Sequence, residues 1–172
     1  MTFRRASLFV FYSFAMTLVC SQAPAQSAIE HHAWQDKRTF SPYSRTAQAI
    51  TGSIKLSGNA VFASEGSIMT IEFGNGKRAQ LTSVGASWRQ WDFAPEQKTT
   101  AEVFKIAKDP DTLLNGNTLC GNPKTKPARY MVFFDQSSFG NQLLGVAVFE
   151  SAKPPHDINS VGLCGTFNYS ID

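Results

Sequence analysis

The chain has 172 residues, 16 Lys and Arg against 13 Asp and Glu for a formal charge of +3, three cysteines, and 42% hydrophobic and 12% aromatic residues. That much apolar and so little charged side chain excludes a disordered chain, and the absence of a heptad pattern excludes a coiled coil. The length suits one domain with a sizeable core, because single domains usually run to about 100–200 residues.

Arg4 and Arg5 precede an uncharged apolar run from Ala6 to Val19, and Ala23-Pro24-Ala25 follows with a small-x-small pattern. This order reads as a secretory signal peptide over residues 1–25. Fourteen apolar residues at about 1.5 Å each are short for a roughly 30 Å hydrocarbon core, so no stable membrane span is expected after cleavage. Cys20 at the end of the run invites a lipid-attachment reading, but bulky Val19 stands where a small residue is wanted. Removing the leader leaves 172 less 25 residues, or 147, with 14 basic and 13 acidic side chains and a charge of +1. Without a Lys/Arg stripe the mature chain offers no phosphate-tracking surface, and nucleic acid is not an expected partner.

Two cysteines remain, Cys120 and Cys164, each in a Leu-Cys-Gly string. A matched pair in an oxidising compartment predicts a disulfide. Closing a loop of that length is worth about 4 kcal/mol by the chain-entropy estimate. A redox role would need a CxxC motif or an activating neighbour, and neither is present.

Residues 26–45 are polar and irregular and read as a flexible or loosely docked extension, leaving 46–172 as the folded domain. From Thr46 onward, short β-branched and aromatic runs are separated by Gly, Asn and Pro, which is an all-β pattern. Ile50 to Leu56 alternates and predicts a first strand. Ser67 to Val84 predicts a hairpin, with Met69, Ile71 and Phe73 alternating before Gly74-Asn75-Gly76 and Ala79 and Leu81 after it. Residues 87–93 and 100–107 give two further strands about an Ala94-Pro95-Glu96-Gln97 turn. Tyr130–Phe134 and Leu143–Phe149 are continuous apolar runs, so both faces must be covered, either by 26–45 or by a turn near Asp109 to Leu114. A last strand spans Val161 to Tyr169. About eight strands with hairpin connections predict a small antiparallel β-barrel or sandwich with one disulfide and an N-terminal extension, the barrel being favoured.

Candidate chemistry is sparse. His31, His32 and His156 are the only histidines, and adjacent residues of an extended chain point to opposite faces, so His31 and His32 do not chelate one ion together. His156-Asp157 lacks a G-x-S-x-G elbow to complete a triad, no H-E-x-x-H occurs, and Gly74-Asn75-Gly76-Lys77 is a turn rather than a phosphate loop. Glu65, Glu72, Glu102 and Glu150 are scattered. No catalytic residue, metal site or cofactor is therefore assigned. Two surfaces suit recognition. Trp88, Arg89 and Trp91 could stack on a sugar or anchor a protein partner, and the loop Asn115 to Pro127, tied at Cys120 and carrying Lys124 and Lys126, would lose little entropy on docking.

The segments Leu113-Leu114-Asn115-Gly116-Asn117-Thr118-Leu119-Cys120-Gly121 and Leu163-Cys164-Gly165-Thr166-Phe167-Asn168-Tyr169 resemble small exported bacterial proteins of unassigned function, over roughly the domain after residue 46. The resemblance implies export, a bridge and a shared fold, with no activity attached. Exported β-barrels that inhibit lysozymes or proteases are similar in size and layout. The expected function is a non-catalytic envelope module binding a protein, glycan or small apolar ligand, with a lipocalin-like carrier or a small hydrolase as alternatives.

Overall fold

A computed structural model describes residues 39–58, 65–91, 98–121, 126–138 and 140–171, without the side chains of residues 87, 88, 98 and 137. Among the described residues, eight strands follow one another in space as they do in sequence: β1 (Thr39–Phe40), β2 (Ile54–Gly58), β3 (Ile68–Glu72), β4 (Arg78–Gln90), β5 (Lys98–Ile106), β6 (Tyr130–Ser138), β7 (Asn141–Phe149) and β8 (Leu163–Ser170). Every neighbouring pair is antiparallel. The chain just after β1 returns to the far edge of the sheet. Pro42 bridges Tyr169, the Tyr43 and Ser44 amides donate to the Asn168 carbonyl, and the Ser170 amide donates to Ser41. This nearly closes the sheet into an up-and-down barrel, which removes most of the unpaired edge that an open meander exposes.

The β3–β4 hairpin follows its local sequence. Its inward set Met69, Ile71, Ala79 and Leu81 is buried, and the turn closes with Phe73 and Lys77 in backbone register while Gly76 takes φ 80°. A positive φ at that step is inexpensive only without a Cβ. Further along, β4 runs unbroken through a bulge between Ser83 and Ala86, with Gly85 at φ 106°, so residues 87–90 continue β4 and do not begin a separate strand. The Ala94–Gln97 turn lies outside the described residues.

Two expectations about the first residues of the domain are corrected. Ile50 to Leu56 is not one strand. Ala47–Thr51 is a π-helical turn, Gly52 reverses the chain at φ 63°, and β2 begins only at Ile54. Gly52 also lies against Gly74, where an added Cβ would come 3.2 Å from the Gly74 Cα. Moreover, residues 39–45 belong to the barrel, and Phe40 is 1% exposed inside it. The remainder of the extension and the leader lie outside the described residues.

The barrel interior is packed with side chains from all eight strands. Phe104 and Phe133 meet edge to face there at 5.6 Å between ring centres, with Phe40, Phe167 and Tyr169 in the same cluster. A second apolar layer lies outside the barrel. On β5, β6 and β7 the outward residues Val103, Val132, Phe134, Ala147 and Phe149 are buried too, together with Trp91 and Ile158. The continuous apolar runs are thus covered on both faces. The outer cover, however, comes from the connection between β7 and β8, where Ile158 packs inward and its amide donates to the Gln90 carbonyl. Leu113 of the Asp109–Leu114 stretch serves the interior instead.

Candidate functional site

The antiparallel order places four connections at one end of the barrel: β1–β2, β3–β4, β5–β6 and β7–β8. The first of them forms a plug. In the π-helical turn Ala47 is fully buried, Thr51 donates through Oγ1 to the Ala47 carbonyl, and Thr51 Oγ1 and the Tyr169 hydroxyl share a buried hydrogen bond of 2.7 Å. Burial raises the Tyr169 phenol well above its ordinary pKa, so this pair stays neutral and acts as a structural tie. Thr46 Oγ1 donates to the Thr166 carbonyl, and Ser44 Oγ accepts from the Asn168 amide. The plug is therefore held to β8 by side chains as well as by packing.

Against it lies the β5–β6 connection. At the base of this loop the two Asp109 oxygens accept from the Asp111 and Ala128 amides at 2.8 and 2.6 Å, which draws the outgoing and returning chain together. Leu114-Asn115-Gly116-Asn117 forms a tight turn with Asn115 at φ 53° and Gly116 at φ 76°, and the Asn117 amide donates to the Leu114 carbonyl. The Asn115 and Asn117 side chains both donate through Nδ2 to one acceptor, the Ala49 carbonyl of the plug, at 3.0 and 3.1 Å.

The next four residues, Thr118–Gly121, fold back on themselves through two reciprocal backbone bonds, insert fully buried Leu119 into the barrel end and present Cys120 to Cys164 of β8. The bridge forms with 4.7 Å between the Cα atoms. The Leu-Cys-Gly repetition has two distinct physical causes. Gly121 supplies φ 95° to end the turn, whereas Gly165 gives room for the Leu119 carbonyl, which would lie 2.5 Å from a Cβ placed there.

Beside this assembly an open groove of about 310 Å³ runs between the start of β4 and the segment after β5, lined by Lys77, Arg78, Gln80, Lys108, Asp109 and Asp111 among others. Its charges are already engaged in part. Lys77 Nζ donates to the Pro110 carbonyl, Arg78 is paired with Glu72, and Asp109 is committed to the loop base. On the fourth connection, His156, Asp157 and Ser160 come together but not as a triad. Ser160 Oγ accepts from the His156 and Asp157 amides and donates to Asp157 Oδ1, which closes a local turn.

Of the residues singled out from sequence, Cys120 and Cys164 are brought together. Trp91 is fully buried in the outer apolar layer, edge-on to Phe149 at 6.5 Å, so it offers no face for stacking. Arg89 is exposed on β4 opposite Thr99, and Trp88 holds the register position opposite Thr100. Lys126 is exposed and reaches Glu150 at 3.5 Å. Lys124, His31 and His32 lie outside the described residues. Among the described residues no helix is long and apolar enough to cross a membrane.

Sequence reasoning passed over Asp109, Asn115 and Asn117 as site-builders, and it passed over Glu102. Glu102 is fully buried on the inward face of β5 that also carries Phe104 and Ile106, and burial pushes its carboxyl up to about 8. Its place two residues before Phe104 in an alternating strand was the available signal. Compared with protein-family models, curated proteins and solved structures, the chain matches none.

Proposed function

We propose that the protein is an exported, non-catalytic binding module that recognises an envelope macromolecule, a protein or a glycan, through the plugged end of its barrel. One observation carries this reading. The described parts of the β5–β6 connection, residues 107–121 and 126–129, are pre-ordered by a disulfide, by the Asp109 clamp and by two asparagine amides on one plug carbonyl. A loop fixed in that way has already lost the conformational freedom that docking would otherwise take from it, which favours recognition by a rigid edge. Export is supported by the charged-then-apolar leader and by the paired cysteines.

The packed interior weighs against the carrier reading, because the space a ligand would need is filled by Phe40, Phe104, Phe133, Phe167 and Tyr169.

The test compares retention of envelope components by the mature protein, by a variant with residues 114–117 exchanged for a Gly/Ser segment of equal length, and by Arg89→Ala. The expected result is a retained macromolecule that is lost only with the loop exchange. Retention indifferent to residues 114–117, or lost with Arg89→Ala alone, would overturn the assignment of recognition to this end.

A further inference from the structure

Two Asn-Gly steps occur among the described residues, and they differ in what their side chains hold. Asn75 Oδ1 accepts from the Lys77 amide two residues on, so its side-chain bond stays within its own turn. Asn115, exposed beside Gly116, spends its Nδ2 on a carbonyl 66 residues away in the plug. Asparagine is thermally labile, and a following glycine leaves the backbone nitrogen unobstructed.

We propose that Asn115 is a self-modification site whose deamidation loosens the contact between the β5–β6 loop and the plug. The Gly116 nitrogen, its proton lost to water, bonds to Asn115 Cγ as the Cγ–Nδ2 bond breaks and ammonia leaves. Water then opens the cyclic imide at either carbonyl, giving aspartate or isoaspartate. Water is the only co-reactant, and nothing is oxidised or reduced. The product exchanges an N–H donor for a carboxylate facing the Ala49 carbonyl, so an attraction becomes a repulsion between two acceptors. Asn117 Nδ2 keeps its own bond to Ala49, so the loop is weakened at this point and not released outright. The plug amides that report the change are Gln48, which donates to the Ser44 carbonyl, and Gly52, which donates to Ala47.

The experiment incubates the oxidised full-length protein in mildly alkaline buffer and reads two quantities together: conversion of each Asn-Gly peptide by mass spectrometry, and hydrogen exchange over residues 44–52. Conversion at Asn115 is expected, with exchange in the plug rising several-fold as it accumulates. Asn115→Asp should show the faster exchange from the start, whereas Asn75→Asp should leave the plug unchanged. If Asn115→Asp fails to fold, the partly converted native sample still supplies the readout. No conversion at Asn115 under conditions that convert the denatured chain would overturn the proposal, as would conversion without any change in exchange over 44–52.

Discussion

Burial separates the two protonation states of a carboxyl group, and Glu102, fully buried on the inward face of β5, carries that separation into the stability of the barrel. Its folded pKa of about 8 lies above the ordinary 4.5, so the folded protein holds a proton that the unfolded chain has released. A raised folded pKa gives a contribution that is full below about 4.5 and is lost as the pH rises through about 8. Stability should therefore fall across that window, by at most about 1.4 kcal/mol per pH unit from this one group. Glu102→Gln keeps the shape and removes the titration, so denaturant unfolding of the variant should lose most of the slope between pH 5 and about 8 that the natural chain shows. A second prediction belongs to Gly165. Its missing Cβ leaves room for the Leu119 carbonyl, a backbone atom that cannot swing aside as a side-chain tip can. Gly165→Ala should cost about 1–3 kcal/mol of overpacking in equilibrium denaturation.

At the scale of elements, the contrast between what the residues announced and what they concealed follows from the range of the forces involved. The β3–β4 hairpin was legible because alternation and a Gly-Asn-Gly turn act within a few residues. Ile50 to Leu56 was misread because Ile50 shares the period of Ile54 and Leu56 while belonging to a turn whose geometry is set by distant partners, Tyr169 for Thr51 and Gly74 for Gly52. Among the described residues the outer cover of β6 and β7 comes from an element that the sequence pattern does not point to, for a similar reason. It rests on Ile158, set in an irregular connection, and on Trp91 just past the end of β4, and neither lies on a period that would betray it. The Asn115 and Asn117 ties were equally hidden, since an amide side chain names no partner until the fold brings one near. The cysteine pair was readable because a covalent constraint depends on count and compartment rather than on packing. It yields the prediction at this scale. With 44 residues separating the two cysteines, Cys120→Ser with Cys164→Ser should lose about 4 kcal/mol in denaturant unfolding while retaining the sheet. Loss should appear first as faster hydrogen exchange over Thr118–Gly121, the turn that seats Leu119.

For the whole molecule the decisive matter is closure. β1 is two residues long, yet with the five residues after it β1 joins both free edges of the sheet, pairing with Ile54 and Lys55 on one side and reaching Asn168, Tyr169 and Ser170 on the other. It also places Phe40, 1% exposed, in the interior. A chain begun at Thr46, where the composition changes, would lack all of this. Losing one large interior aromatic alone costs about 3–5 kcal/mol, a large part of the roughly 5–15 kcal/mol that stabilises a typical domain. The edges of β2 and β8 would in addition be left open to strands from other copies. Three lengths distinguish the contributions: residues 26–172, residues 39–172 and residues 46–172. The first two should unfold at similar denaturant concentrations and sediment as monomers. The third should unfold at far lower denaturant and associate with rising concentration, and a monomer of unchanged stability at that length would show that the strand before Thr46 does not close the barrel.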